Sequence, residues 1–375
     1  MAGIAGCGRP ATEAAPKDYL LYVGTNVAGA QDSTIFLYRV NASTGAFTRL
    51  SAQLGGAQPT YLAVAPSRRF LYAVSETPTF GGAPGGGVST FAVDPHSGAL
   101  KLLGQQPSGG GGPCYIALDH TGKNALVANY GGGNVSLLSV AADGRLGPPT
   151  SDQHTGSGPH KNQNAPHAHC LLPDPANQFA FAVDLGTDQV VGYRLDAAGS
   201  RLSRLPEPAF VAKPGAGPRH LTFHPNGKTA YLINELNSTI TTLGYDAATG
   251  HFRERQTVST LPAGYTGANS CADVHVAPNG LFLYASNRGH NSIAAFAIDS
   301  SNGTLVPIQD VDCQGKTPRN FTLDASGRLL LVANQNSNSI VSYRVDPLTG
   351  LLTPTGQQAA VPSPMFLGVV EDFRN

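Results

Sequence analysis

One segment pattern recurs six times along the chain, at intervals of 47 to 55 residues. A period of that size constrains the fold more tightly than any compositional figure. Each copy has a small residue or Pro, an apolar strand, a Pro/Asp-x-Gly turn, a second strand ending in Asn or an acid, a short loop and a third strand. The clearest copy starts at Pro218-Arg219-His220-Leu221, turns at Pro225-Asn226-Gly227 and continues through Tyr231-Leu232-Ile233-Asn234-Glu235. The same frame starts at Pro59, Pro113, Ala168, Cys271 and Pro318. A unit of about 50 residues carrying four short strands is a β-propeller blade. Tyr19–Thr25 is a second strand without its first, and Pro364–Val370 is a first strand without its second. Joined, they complete a seventh blade and remove the exposed edges of an open array. The expected fold is therefore all-β, a seven-bladed β-propeller over residues 19–375, closed by pairing of the N- and C-terminal strands. A flexible tether precedes it at residues 1–18.

Composition agrees with short apolar strands stitched by tight turns. The chain has 45 Gly and 28 Pro among 375 residues, 41% hydrophobic residues and 13% charged ones, so helices should be almost absent. With 24 Lys+Arg against 24 Asp+Glu and no basic run, the electrostatic footprint of nucleic-acid binding is missing. No apolar stretch approaches the roughly 18–20 residues of a membrane span. The absence of Trp speaks against the Trp-Asp repeat type and against quinone-dependent dehydrogenase propellers. A closed ring has no free edge, so a monomer is expected. Ile4-Ala5-Gly6-Cys7 resembles a bacterial lipobox, which favours export, into the periplasm, with a lipid anchor at Cys7. Only six residues precede Cys7, fewer than the about 7–15 of an apolar signal region, so a cytoplasmic location is the alternative. The five cysteines do not settle the compartment.

In a propeller blade the start of the first strand and the end of the second share one rim, so the repeat locates a site. One residue past each frame start lie Thr60, Cys114, His169, Arg219, Ala272, Arg319 and, in the closing blade, Met365. Seventeen residues past it lie Glu76, Tyr130, Leu185, Glu235, Arg288 and Gln335, with Asn26 as the equivalent in the closing blade. The packing positions are uniformly apolar by contrast: Leu62, Ile116, Leu171, Leu221, Val274 and Phe321. Packing demands repetition and chemistry breaks it. Solvated rim charges would account for any one of these residues, but less well for His169, Arg219, Glu235 and Arg288 together on adjacent blades. Arginines facing one channel mouth repel unless an acid or an anionic ligand compensates them, and carboxylate or phosphate is their favoured partner.

Residues 147–167, with His154, His160 and His167, and the Gly-rich stretch 77–87 are expected at the same rim, as walls or a lid. His220 should point to the other side of its strand from Arg219, His224 should be exposed in its turn, and His275 should be a hydrogen-bonded core residue. Cys114, Cys170, Cys271 and Cys313 lie near strand starts, and a Cys271–Cys313 disulfide is compatible with export. No metal-ligand spacing, nucleophile elbow, phosphate loop or dinucleotide fingerprint occurs in a suitable context. The glycines of 108–112 and 131–133 are loop chemistry.

Gly-Pro-Arg219-His220, Asn-Glu235-Leu-Asn-Ser, Asn-Arg288-Gly-His-Asn-Ser-Ile and Pro-Arg319-Asn-Phe together resemble the seven-bladed lactonase family. That family includes bacterial propeller-type 6-phosphogluconolactonases and fungal carboxy-muconate lactonizing enzymes. Tyr22-Val23-Gly24-Thr25 and Pro166-His167-Ala168-His169 share the likeness, which runs from about Tyr19 to Val370; the closing Pro362-Ser-Pro364-Met365 departs from the Gly-Gln-Gly-Pro-like run of some members. The resemblance implies a channel-face site of one His, two Arg and a Glu, here His169, Arg219, Glu235 and Arg288, with no metal or organic cofactor. Around these catalytic candidates, Arg319, Gln335, Glu76, His167, Asn26 and Tyr130 are the expected substrate-binding residues.

The expected chemistry is hydrolysis of a small anionic or sugar lactone. Arg219 and Arg288 would bind the substrate's anionic group or carbonyl oxygen, and Glu235 or His169 would act as base, the other as acid. A lactonizing cycloisomerase and a non-enzymatic ligand-binding or scaffold propeller are the alternatives.

Overall fold

The structure is a computed structural model and describes residues 17–29 and 33–373. The lipobox-like segment and all of the tether before Lys17 lie outside the described residues. Seven antiparallel sheets form, each on a path of four strands. Counting from the closing blade, blade two holds Leu62–Val64, Phe70–Ser75, Gly87–Val93 and Leu100–Pro107. Blades three to seven open with Pro113–Leu118, Ala168–Pro173, Pro218–Phe223, Ser270–Val276 and Pro318–Leu323. Blade one is built from both chain ends: Tyr22 of Tyr19–Thr25 stands opposite Leu37 on one side and Gly368 of Pro364–Glu371 on the other. The seven inner strands touch their neighbours all the way round, so the ring is closed. Among the described residues the helical content is one 3-10 turn, Gln335–Ser337.

The repeat pattern has local causes. In the Asp-type turns a carboxylate collects the amides that start the second strand. Asp119 accepts from Lys123 and Asn124, and Asp174 accepts from Gln178 and Phe179. The turn ends in a left-handed residue, Gly122 or Gly327, with Asn177 taking that place in blade four, as suits the residues that tolerate positive φ. His224 is not exposed as expected: it is half-buried, with its Nε2 2.8 Å from the Gly280 carbonyl of the next blade.

Apolar side chains collect into seven clusters, each between two neighbouring blades. Tyrosines on the second strands also latch blade to blade. The hydroxyls of Tyr22, Tyr72, Tyr231 and Tyr284 donate to the carbonyls of Gly98, Gly144, Gly303 and Gly350 in the following blade, at 2.7 to 2.9 Å. Tyr231→Phe leaves a buried carbonyl without its donor, and denaturant titration should show a loss of about 1–2 kcal/mol. An unchanged midpoint would show that the latch contributes nothing.

Candidate active site at the mouth of the channel

A register shift marks the start of the inner strand in six blades. Pairing skips from Pro113 to Tyr115, Ala168 to Cys170, Pro218 to His220, Cys271 to Val274 and Pro318 to Asn320, and Met365 is passed over in the same way. A bulge of this kind interrupts strict alternation and re-aims side chains. Both members of a pair such as Arg219-His220 therefore face the axis, and the channel gains two tiers where alternation would give one.

The upper tier is ionic. Glu235 Oε2 lies 3.1 Å from Arg219 Nε and 2.7 Å from Arg288 Nη2. Arg288 Nη2 also donates to the Cys271 carbonyl at 2.7 Å, and Arg219 Nη1 donates to the Ala272 carbonyl. Neither Arg219 Nε nor Arg288 Nε has a well-aligned hydrogen-bond acceptor among the described residues, although both are buried. Arg319, half-buried and reaching the same cavity, has no ion pair or hydrogen bond among the described residues. Glu76 accepts a 2.5 Å hydrogen bond from Thr60. Three guanidiniums face two carboxylates in this tier, a third carboxylate, Asp273, lies close enough to act on Arg219, and Arg319 is the guanidinium with no ion pair among the described residues.

That arrangement sets the protonation states. Burial would raise the Glu235 carboxyl, but Arg288, Arg219 and Arg319 overcome it and hold its pKa below the ordinary value. Burial, Arg319 and Arg288 bring Arg219 down to about 10, which still leaves it charged near neutrality. His169 is buried beside Arg219, His220 and Arg319, and desolvation plus those charges push its pKa well below that of a free imidazole. It is therefore neutral. Its Nδ1 is 3.6 Å from Cys114 Sγ, and its Nε2 makes no hydrogen bond among the described residues.

The lower tier corrects the expectation for His220. Rather than turning away, it is buried under Arg219, with its ring 5.2 Å from that of His169 and 5.5 Å from that of Tyr115. Its Nδ1 is 2.8 Å from Asp273 Oδ1 and its Nε2 is 3.2 Å from Arg219 Nη1. The consistent tautomer donates from Nδ1 to the carboxylate and accepts from Arg219 at Nε2. Asp273 Oδ2 also takes Asn320 Nδ2 at 2.5 Å and His275 Nε2 at 3.0 Å. Burial and Arg219 bring His220 down to about 4. Tyr61, Tyr115 and Phe366 close this tier with ring-to-ring contacts of 4.3 and 4.4 Å.

The flanking loops differ from expectation in detail. Residues 146–153 form the outer strand of blade three, so the loop begins only at His154. His154 is a buried structural group rather than part of a lid, with its ring nitrogens 2.6 Å from Asp184 and 2.9 Å from the Tyr193 hydroxyl. His167 does reach the mouth: it stacks on Tyr130 at 4.4 Å, and the Tyr130 ring meets His169 edge-on at 5.5 Å. Cys114, Cys170, Cys271 and Cys313 are all free thiols, and Cys271 Sγ lies 3.1 Å from the Thr260 hydroxyl, so the Cys271–Cys313 disulfide does not form.

Eight of the ten expected site residues gather at the mouth: His169, Arg219, Glu235, Arg288, Arg319, Glu76, Tyr130 and His167. Asn26 accepts from Gln58 at 2.9 Å, and Gln335 opens the 3-10 turn of blade seven. No hydrogen bond or ion pair joins either to the Arg–Glu cluster among the described residues. The residues missed were His220, Asp273 and Asn320. Their column of the repeat, two past each frame start, breaks symmetry as strongly as the columns beside it. Among the described residues no group of three or more His, Cys, Asp or Glu is placed to hold a metal, and no helix is long and apolar enough to cross a membrane.

Seven blades closed by the chain ends, with a His–Arg–Glu cluster at one mouth of the channel, define the class: a closed seven-bladed propeller. The chain belongs to the seven-bladed β-propeller lactonase family, whose model matches residues 20–369. It is 36% identical over 310 residues to a 6-phosphogluconolactonase of Bacillus subtilis, covering 82% of this chain and 85% of that one. A 6-phosphogluconolactonase of Formosa agariphila is 35% identical over 317 residues, covering 83% and 88%. The solved structure of a periplasmic gluconolactonase from Pseudomonas aeruginosa superposes with a TM-score of 0.87 at 34% identity, covering 94% of this chain and 99% of that one.

Proposed function

We propose that this chain hydrolyses a sugar-acid lactone at the channel mouth, in the manner its relatives' names describe. The observation that carries the reading is Arg319, a guanidinium with no ion pair among the described residues, acting on a neutral, buried His169. Attack of water on the lactone carbonyl creates one negative charge, which a guanidinium without an ion pair is suited to meet. Arg319 is the donor for that oxygen, and Arg219 and Arg288 add their positive field.

His169 is the better base. Glu235 is held by two guanidiniums, so taking a proton there means breaking ion pairs. His169 is neutral because burial, and after it Arg219, His220 and Arg319, oppose its charging. As the oxyanion neutralises those cations, the imidazolium becomes cheaper to form, so proton transfer and oxyanion formation assist one another. The tetrahedral intermediate then collapses, the bond from the carbonyl carbon to the ring oxygen breaks, and the imidazolium returns its proton to that oxygen. The product is an open hydroxy acid, which releases one proton to solvent. Glu235 keeps the two arginines in place throughout. Export, with Cys7 as a lipid anchor, is the accompanying proposal for location, and it rests on Ile4–Cys7 alone.

The pH profile tests this assignment. Because the His169 pKa is depressed, the neutral base persists below the ordinary imidazole range, and kcat/KM should show no inflection near 6.5. His169→Ala should lower kcat/KM by about 10²–10⁴-fold. A profile falling through about 6.5, or an active, folded His169→Ala variant, would remove His169 from the base role.

A further inference from the structure

Blade two departs from the repeat by inserting a small hairpin, Thr79–Phe80 paired with Ala83–Pro84, between its second and third strands. Between this hairpin and the glycines 109–112 runs a groove of about 670 Å³, and it meets the channel mouth at Glu76 and Tyr130. That is ample room for a sugar unit beside a lactone ring that the proposed function puts at the mouth.

The walls say what would lie there. Phe80, Pro78 and Pro84 give one apolar side, and Gly109–Gly112 give the other. The Phe80 ring is seated against Gly87, where an added Cβ would come within 2.3 Å of it, so the glycine fixes the ring. The amides of Gly109, Gly110 and Gly111 have no acceptor among the described residues, which leaves donors for hydroxyl groups. Among the described residues the only ionisable lining groups are Glu76 and the Tyr130 phenol. No cation lines the groove among the described residues, and the carboxylate of Glu76 at its inner end disfavours a phosphate.

We infer that this groove is a subsite for a neutral glycosyl substituent, so that the substrates include lactones of disaccharide aldonic acids. The apolar face of a pyranose ring would lie on Phe80 while its hydroxyls meet the glycine amides. The inference rests on the lactonase reading for the ring on the axis, but the groove can be tested without turnover.

Gluconate and lactobionate, the open acids with and without a galactosyl substituent, serve as probes in calorimetric titration. Lactobionate should bind about tenfold more tightly than gluconate. Phe80→Ala, and separately Ala83→Trp, which fills the groove from an exposed position, should abolish that difference and leave gluconate binding unchanged. Equal affinities in the parent protein, or a preference that survives both variants, would overturn the subsite. Hydrolysis of gluconolactone, measured in parallel, reports on the lactonase reading separately: if it fails while the lactobionate preference and its loss are seen, the groove stands and the reaction does not.

Discussion

Glu235→Gln should cost more activity than any other single change at the mouth apart from loss of the base, lowering kcat/KM by about 10²–10³-fold, the scale of losing one preorganised electrostatic group. The cause is indirect. Glu235 Oε2 is the shared partner of Arg219 and Arg288, and a neutral amide leaves two buried guanidiniums facing Arg319 with nothing between them. Mutual repulsion then drives them from the position where the oxyanion forms. Breaking a buried ion pair also costs stability, about 3 kcal/mol at the lower end of the known range. Glu235→Asp keeps the charge and should restore part of both losses, and inorganic phosphate should bind more tightly to the Gln variant than to the parent. Undiminished turnover in a folded Gln variant would mean that the arginines need no partner.

The second large effect is structural. Deleting residues 364–375 should abolish cooperative folding. The strand Pro364–Glu371 supplies the inner strand of blade one and pairs along the whole of Tyr19–Thr25. It buries Met365 and Leu367 in the ring and sets Phe366 against Tyr61, 4.3 Å between ring centroids. Full burial of such a side chain contributes about 1.5–3 kcal/mol, and the partly buried Phe366, Val369 and Val370 contribute less. Met365, Phe366, Leu367, Val369 and Val370 together approach the about 5–15 kcal/mol that holds a typical domain folded. The deletion also leaves one edge of Tyr19–Thr25 unpaired, which invites aggregation. A truncated chain with the parent's melting transition would show that six blades close without the seventh.

The repeat made most of this legible before any coordinates. Tyr19–Thr25 and Pro364–Val370 could be assigned because each was half of a pattern seen whole six times. Arg219, Glu235 and Arg288 stood out because they broke columns that packing alone would keep uniform. His220 was misjudged for a definite reason. Alternation along a strand predicts opposite faces for neighbours, and the bulge at Arg219 suspends it. The column of Tyr61, Tyr115, Cys170, His220, Asp273, Asn320 and Phe366 carried the same symmetry-breaking signal, beside the apolar column of Leu62, Ile116 and Leu171. The groove was not legible, since the hairpin at Thr79–Pro84 lies outside the repeat and glycine walls carry no side chain to notice. The Cys271–Cys313 pairing failed because nearness to one rim does not bring two thiols together. Cys271 is turned to Thr260 and Asn287, and Cys313 to the Gly315 carbonyl.

The most direct test of the central claim is proton release in weak buffer, with gluconolactone and 6-phosphogluconolactone run side by side and corrected for spontaneous opening. Lactone hydrolysis at the Arg–His mouth predicts acceleration of gluconolactone, abolished in His169→Ala. Acceleration of the phosphorylated lactone alone would keep the reaction and contradict an uncharged substrate arm. No acceleration of either, from protein that melts cooperatively, would contradict the claim that this propeller is a sugar lactonase.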